Sequence, residues 1–259
     1  MNTRSRLPVV ATIVLVLLIA LPAVAGTPDP TALLKAAIHH WRGNSSYTEV
    51  GMSVHRPDWG RSMALVGWTR GDRDSLVRFT EPAGDAGNAT LKLGSDLWLF
   101  NPKLSQVIKL PFSMMSQSWM GSDFSYNDLA KSEQVVTEYT HKLIATQSRG
   151  GHQVYTIECL PKPGAPVVWG KQEVKVRDDS VLMEQTFFDQ DMRPVRRLQT
   201  TRIAPLGGRP YSVEMRMTRL DKTGRWTDLH YTRADFDLSL PDYLFTLSNL
   251  RNPRHWSAP

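Results

Sequence analysis

The stretch YSVEMRMT, residues 211–218, alternates apolar and polar side chains with a period of two. The apolar positions share one face of an extended chain: Tyr211, Val213, Met215 and Met217. Such alternation predicts a β-strand that buries one face and exposes the other to water. The same alternation elsewhere in the chain would indicate further strands of this kind.

The same period of two recurs along the chain. It is visible in three further sets: Val50, Met52 and Val54; Leu104, Ile108 and Leu110; Tyr155, Ile157 and Cys159. Glycine pairs such as Gly150-Gly151 and Gly207-Gly208 lie between the alternating runs and are typical of turns. The pattern predicts a mainly β (α+β) fold in which antiparallel hairpins form one continuous sheet.

One amphipathic helix precedes the strands. Asp29 is suited to the N-cap, Pro30 to the first helical position, and Gly43 to the position after the last turn. Apolar side chains recur at helical spacing between them: Leu33, Leu34, Ala37, Ile38 and Trp41. The opposite face is predicted to be polar, with Lys35, His39 and Arg42.

A methionine-rich segment, residues 112–131, fits neither period. Its sequence FSMMSQSWMGSDFSYNDLAK is too apolar for an ordinary surface loop and too rich in serine for a strand. Methionine and aromatic side chains together suit a surface that adapts to varied apolar partners. They equally suit a plug that packs over one end of the sheet. Both interpretations remain open from the sequence.

The first 25 residues predict an export signal. Arg4 and Arg6 precede an apolar run over residues 9–21, and Pro22 precedes a small-x-small site that ends at Ala25. We expect residues 1–25 to be a cleaved signal peptide and residues 26–259 to be one mature domain in the periplasm of a Gram-negative bacterium. The alternative is an uncleaved anchor, although the run is short for a membrane span.

Composition and motifs argue against several classes of function. The net charge of +6 is scattered along the chain, so no stripe of positive charge predicts nucleic-acid binding. No metal-binding, nucleotide-binding or nucleophile-elbow motif is present, and Asp178-Asp179 is typical of a solvated turn. The single cysteine, Cys159, is expected to be buried rather than nucleophilic. We therefore expect no enzyme activity, no metal and no cofactor.

Five runs of sequence together resemble the outer-membrane lipoprotein-sorting family, whose members have a LolA-like fold. The runs are HRPDWGRSM (55–63), NPKLSQVIKLP (101–111), SMMSQSWMGSDFSYNDLAKS (113–132), PKPGAPVVWGKQE (161–173) and LPDYLFTLSNLR (240–251). They occur in order and span nearly the whole mature chain.

The resemblance implies a half-open barrel made of one curved antiparallel sheet, with the N-terminal helix and short helices covering its concave face. It also implies a periplasmic carrier that binds acyl chains of a lipid or lipoprotein and passes them toward the outer membrane. The expected ligand contacts are Met114, Met115, Trp119, Met120 and Phe124 from the methionine-rich segment, and Met52, Val54, Leu65 and Trp68 from early strands.

Partners and alternatives follow from the same resemblance. We expect a monomer that works beside an inner-membrane permease or exporter of the ABC or RND type. A second hypothesis is an accessory subunit of such a transporter with no lipid of its own, which would expose an apolar patch on its outer surface. A third is a hydrolase with an unrecognised polar cleft.

Overall fold

A single sheet dominates the computed structural model, which describes residues 27–131 and 133–257. Thirteen strands pair in the order β6-β5-β4-β3-β2-β1-β13-β12-β11-β10-β9-β8-β7, and every pairing is antiparallel. The sheet is curved and unclosed, because β6 and β7 form its two ends and do not pair with each other. The predicted mainly β fold is confirmed. The predicted signal peptide lies in residues 1–26, outside the described residues.

The strands follow one another along the chain with few interruptions. Their bounds are β1 Ser45–His55, β2 Gly60–Arg70, β3 Asp74–Glu81, β4 Ala89–Leu93, β5 Asp96–Asn101, β6 Gln106–Lys109, β7 Tyr139–Arg149, β8 His152–Pro161, β9 Lys171–Arg177, β10 Leu182–Phe188, β11 Pro194–Leu206, β12 Arg209–Arg219 and β13 Trp226–Phe236. The first and last strands of the chain, β1 and β13, lie side by side in the middle of the sheet. Strands β6 and β7 are consecutive in the chain but lie at opposite ends of the sheet. The methionine-rich segment lies in the connection between them.

Helix α1, Pro30–Arg42, has the predicted caps. The Asp29 carboxylate accepts a hydrogen bond from the Thr31 N–H, and Gly43 ends the helix at φ 62°, a left-handed conformation that glycine adopts without strain. Leu34 and Ala37 are buried, as the apolar periodicity predicts. The prediction for Arg42 was wrong: it was expected on the exposed polar face of the helix, and its side chain is buried. It is buried because Glu133 supplies an ion-pair partner.

The alternation of β1 and β12 is confirmed by burial. Val50, Met52 and Val54 pack with Tyr211, Val213, Met215 and Met217 in one cluster on what we call the inner face of the sheet. The opposite, outer face of β1 to β6 is covered by the C-terminal segment, which contains a 3₁₀ turn, Asp242–Phe245, and helix α4, Leu247–Arg251. Strands β1 to β5 therefore have buried side chains on both faces of the sheet.

The segment 112–131, called the plug below, crosses the inner face. It contains two 3₁₀ turns, Phe112–Met114 and Trp119–Gly121, and helix α2, Tyr126–Ala130. Helix α3, Gln134–Thr137, follows and leads into β7. These short helices and α1 cover the inner face as predicted. In residues 27–131 and 133–257, no helix is both long and apolar enough to cross a membrane.

The end of the sheet at β6 departs from the predicted alternation. Leu104 lies in the turn before β6 and is 63% exposed, and Ile108 within β6 is 51% exposed. Only Leu110, just after the strand, is buried. The strand is short and lies at the end of the sheet, which leaves the Ile108 side chain exposed.

Candidate functional site

An apolar cavity of about 290 Å³ lies between the inner face of the sheet, α1 and the plug. Its wall includes apolar side chains from eight regions of the chain: Leu34, Ala37, Ile38 and Trp41 of α1; Val50 of β1; Leu65 of β2; Val77 of β3; Trp119, Phe124 and Leu129 of the plug; Leu182 and Phe187 of β10; Met215 and Met217 of β12; Leu229 and Tyr231 of β13. The volume is close to the lower end of the range of ligand pockets, roughly 300–1,000 Å³.

The polar side chains in the cavity wall are mostly bound to one another. The Ser46 and Thr69 hydroxyls lie 2.6 Å apart, and the Trp119 indole N–H donates to the Thr90 hydroxyl at 3.2 Å. Farther round the wall, the Gln185 amide donates to the Gln172 carbonyl oxygen at 2.6 Å. This pairing lowers the cost of burying polar groups beside apolar ones, so the wall as a whole suits a hydrocarbon occupant.

Four of the nine expected ligand contacts border the cavity. Leu65, Trp119 and Phe124 line it from β2 and from the plug. Trp68 also borders it, but its ring packs against Tyr47 and Trp256, at centroid distances of 5.5 and 6.0 Å, within the outer-face cluster. The geometry therefore directs Trp68 away from the cavity.

The other five expected contacts lie elsewhere. Met52 and Val54 are buried in the inner-face cluster, and Met120 packs against that cluster. Met115 is buried with Leu97, Leu110 and Ala130. Met114 is 36% exposed and lies outside the cavity wall. Their role in ligand binding stays a prediction.

Arg196 anchors the plug to β11. Its guanidinium donates to both carboxylate oxygens of Asp128, at 2.8 and 2.9 Å, and to the Asp123 carbonyl at 2.9 Å. The cation also lies over the rings of Trp169 and Phe187, 4.5 and 5.0 Å from their centroids. Asp128 also receives the Ser125 N–H in a capping box that starts α2. One carboxylate thus connects the helix start to the sheet.

A second anchor joins the plug to the end of β1 and the start of β13, which are adjacent in the sheet. Arg56 donates to the Asp123 carboxylate at 3.0 Å and to the Gly121 carbonyl at 2.8 Å. The same carboxylate accepts from the buried Thr227 hydroxyl at 2.7 Å. Between these contacts, Met120 adopts φ 51°. A left-handed conformation is unfavourable for a non-glycine residue, so the neighbouring contacts hold the chain in that turn.

A largely buried ion triad lies near the end of α1, where Arg42 borders the cavity. Glu133 pairs with Arg42 and, at 3.5 Å, with the Lys92 ammonium group of β4. Lys92 also donates to the Asp72 carbonyl at 2.5 Å. Burial lowers the pKa of Lys92, and the charge of Glu133 opposes that shift. The triad joins α1, α3 and β4, three elements that are far apart in sequence.

Sequence reasoning missed most of the cavity wall. The helical periodicity identified the buried face of α1, but not that Leu34, Ala37 and Ile38 would border a cavity. The alternation likewise identified Met215 and Met217 as inward-facing without assigning them to the site. Which inward-facing residues touch a cavity depends on sheet curvature and on the position of the plug, and neither has a local signal.

Two groups of reactive side chains lie outside the cavity wall. Cys159 is fully buried in β8, as predicted, and burial raises the pKa of its thiol to about 12. The fold also brings His152 beside Asp178 and Asp179, with Nδ1 of His152 2.6 Å from the Asp178 carboxylate. The His152 and Asp178 side chains are each more than a third exposed, and the group lies at the ends of β8 and β9, away from the residues that line the cavity.

Comparison with known proteins agrees with this architecture. A family model described as "Uncharacterized protein" matches residues 71–252. The chain belongs to the family that this model describes. A crystal structure of a DUF1329 family protein from Desulfovibrio piger is 26% identical to the chain, with a TM-score of 0.75, and covers 86% of this chain and 100% of its own.

Two further solved structures show that the chain has a LolA-like fold. A domain assigned to the outer-membrane lipoprotein-sorting proteins, from Vibrio parahaemolyticus, is 20% identical with a TM-score of 0.73, covering 86% of this chain and 98% of that one. A LolA superfamily protein from Nitrosomonas europaea is 23% identical with a TM-score of 0.71, covering 86% and 99%. No curated protein matches the chain.

Proposed function

We propose that this LolA-like protein is a periplasmic carrier that encloses an acyl chain of a lipid or lipoprotein and passes it toward the outer membrane, without catalysing a reaction. The observation that carries the proposal is the apolar cavity of about 290 Å³ between α1, the plug and the inner face of the sheet. Moving one methylene group out of water is worth about 0.8 kcal/mol. An acyl chain therefore needs such an enclosure to cross an aqueous compartment.

The volume supports one chain as the occupant of this conformation. A cavity at the lower end of the ligand-pocket range has no room for several chains side by side. A larger cargo requires the plug to shift, and the plug is attached to the sheet through Asp123 and Asp128. We propose that these contacts set how readily the cavity enlarges.

Lipid analysis of the purified protein tests the carrier proposal. We expect mature protein isolated from the periplasm to release about one acyl-containing species per chain when it is denatured and extracted. The variant Val77→Phe places a larger side chain in the cavity wall and should retain much less lipid. Val168→Phe makes the same change at a position that is 43% exposed, and it should retain as much as the wild type. Lipid-free wild type, or equal retention by all three proteins, would exclude the proposal.

Export can be tested on the same preparation. We propose that residues 1–25 are removed during export. The mature protein should then begin at Gly26 when its N-terminus is sequenced. A chain that keeps residues 1–25 and remains with the inner membrane would support the anchor alternative.

A second candidate function rests on the sheet end at β6. Leu104, Ile108 and Phe112 are 63%, 51% and 73% exposed, and such apolar side chains suit a protein partner. They favour an accessory subunit of an inner-membrane ABC or RND-type transporter. If the accessory-subunit hypothesis is right, replacing all three residues by Ser should abolish binding to the transporter. If the carrier proposal is right, the same variant should retain as much lipid as the wild type. The hydrolase alternative has no comparable support, because the described cavity does not contain the His152 group.

A further inference from the structure

Three polar side chains border the cavity where α2 leads into α3. Asn127, Lys131 and Gln134 all belong to the cavity wall and are called the polar row below. The Lys131 N–H donates to the Asn127 carbonyl at 3.0 Å, and the Gln134 N–H donates to the Lys131 carbonyl at 3.1 Å. These backbone bonds form two successive turns, which bring residues three and four positions apart next to each other.

The side chains of the polar row differ from the paired polar groups elsewhere in the wall. Gln185 and Gln172 bind each other, whereas the side chains of Asn127, Lys131 and Gln134 have no hydrogen-bond partner in residues 27–131 and 133–257. Asn127 is nevertheless buried, with only 8% of its surface exposed. A buried amide without a partner is unfavourable, so the polar row is suited to a ligand that supplies acceptors.

The charges of the cavity wall are balanced at every position except one. The wall contains three charged side chains, which are Arg42, Asp128 and Lys131. Arg42 pairs with Glu133, and Asp128 is bound by both nitrogens of the Arg196 fork. Lys131 is thus the only charged side chain of the wall that has no oppositely charged partner among the described residues.

The neighbours of Lys131 do not supply the missing negative charge. Glu133 is two positions away, but it is shared between Arg42 and Lys92, so three cations accompany one buried carboxylate. Asp72 also acts on Lys92, although its carboxylate is exposed to solvent, where its charge is screened. This corner of the cavity therefore favours a negatively charged ligand group.

The position of the Lys131 ammonium group suits the head group of a lipid. It lies 5.2 Å from the centroid of the Phe112 ring, and that ring is 73% exposed. The charge is therefore near the protein surface, where an anion that binds it keeps part of its hydration. An anion deeper in the apolar wall would lose that hydration at a high cost.

We propose that Asn127, Lys131 and Gln134 bind an anionic head group of the acyl cargo, a phosphate or a carboxylate, so that the cavity prefers anionic to neutral acyl lipids. The inference rests on the carrier function proposed above and adds the class of head group that the site recognises. The ammonium group and the two amides donate to the oxygen atoms of the anion, and the acyl chain extends into the apolar part of the cavity.

Matched charged and neutral lipids test the proposal. The probes are 1-lauroyl-lysophosphatidylglycerol and 1-lauroylglycerol, which carry the same acyl chain with and without a phosphate, and binding is measured by calorimetry below the concentration at which either aggregates. We expect delipidated wild-type protein to bind the anionic probe at least about 10-fold more tightly, as one hydrogen bond to a charged group predicts.

Substitutions at the polar row locate the effect. Lys131→Met removes the charge, so affinity for the anionic probe should fall to about that of the neutral probe, whose own affinity stays within about twofold. Lys131→Arg keeps the charge and should keep the preference. Gln134→Glu retains Lys131 but places a carboxylate beside it, and it should also abolish the preference.

Lys142 provides the matched control. It lies on the exposed side of β7 and outside the cavity wall, so Lys142→Met removes the same charge from the chain and should keep the wild-type ratio. Circular dichroism checks that each variant is folded. If Lys131→Met is not, the wild-type ratio and Gln134→Glu decide.

The outcomes separate this inference from the carrier function. Equal wild-type affinity for the two probes, or a ratio that Lys131→Met preserves, overturns the role of the polar row and leaves the carrier proposal intact. Binding of neither probe overturns this inference, and the absence of lipid retained from the periplasm would then overturn the carrier proposal as well.

A second pair of probes distinguishes the two kinds of anion. Laurate and methyl laurate differ by the charge of a carboxylate. A preference for laurate as well as for the lysophospholipid supports recognition of any anionic head group. A preference confined to the lysophospholipid supports the proposal with phosphate as the recognised group.

Discussion

The guanidinium group of Arg196 binds both carboxylate oxygens of Asp128, at 2.8 and 2.9 Å, across 68 positions of sequence. Both side chains are largely buried, with 5% and 15% of their surfaces exposed. The pair joins the sheet to the helix of the plug that partly encloses the cavity. Loss of either side chain should lower the free energy of unfolding, because the other charge is then buried and unpaired.

Arg196→Met should lower the free energy of unfolding by about 3 kcal/mol, the lower end of the range for a broken buried ion pair. The double variant Arg196→Met/Asp128→Asn should lose less than the sum of the two single variants, since neither charge is then left alone. Urea unfolding of the four proteins measures this. The exposed pair Arg216–Asp228 is the control, and Arg216→Met should cost less than about 1 kcal/mol. Strictly additive losses would show that the Arg196 pair is not coupled.

Adjacent methionines at the start of the plug should respond differently to charge. Met115 is 6% exposed and packs with Leu97 and Leu110, whereas Met114 is 36% exposed. Met115→Asp should cost at least about 3 kcal/mol because a carboxylate replaces a buried apolar group. Met114→Asp should stay within about 0.5 kcal/mol of wild type. Thermal unfolding compares the two, and similar midpoints would mean that this part of the plug does not pack as described.

Gly207 and Gly208 form the turn between β11 and β12 and should tolerate alanine unequally. A Cβ atom on Gly207 would lie 2.4 Å from a ring carbon of Phe236 and 2.6 Å from the Ala234 carbonyl oxygen, while a Cβ on Gly208 would meet nothing within 4 Å. Both residues have positive φ, which alone costs about 1–2 kcal/mol for alanine. Gly207→Ala should therefore lose clearly more stability than Gly208→Ala in urea unfolding. The reverse order would contradict the close approach of Phe236.

Alkaline pH should reveal the buried thiol. Cys159 has its pKa raised from 9.0 to about 12 by burial, so above pH 9 the unfolded chain loses this proton while the folded chain keeps it. A group of this kind stabilises the fold below its unfolded pKa, and that stability is lost as pH rises toward the folded pKa. Relative to Cys159→Ala, the wild type should lose about 1.4 kcal/mol per pH unit within that window. Paired urea titrations between about pH 7 and pH 10 measure the difference, and a constant difference would refute the shift.

Local patterns in the sequence predicted the elements that depend on neighbouring residues. The caps of α1 at Asp29 and Gly43, and the buried alternation of Met215 and Met217, follow from rules that act over a few positions. The burial of Cys159 followed in the same way. The overall sheet followed from the repetition of such strands and from resemblance to a family.

Contacts between distant positions were not predictable in this way. Arg42 appeared to belong to a polar helix face because its partner Glu133 lies 91 positions away. Arg196 gave no sign that it would bind the plug. A charged residue in an alternating strand has the same sequence pattern whether its inward partner is water or a carboxylate from another part of the chain.

The expected contacts Leu65 and Trp68 illustrate a different limit. They are three positions apart in one strand, so the period of two places them on opposite faces. Leu65 faces the cavity, and Trp68 packs on the outer face with Tyr47. Strict use of the strand period separates these two residues from the sequence alone.

The absence of pairing between β6 and β7 has a consequence for loading. Widening the gap between these two ends breaks no ladder hydrogen bond, because none joins them. On the carrier proposal, the energy barrier to admitting an acyl chain is then concentrated in the side-chain contacts of the connection that spans the gap. Substitutions in those contacts can adjust the rate of uptake and discharge while the thirteen-stranded scaffold keeps its register.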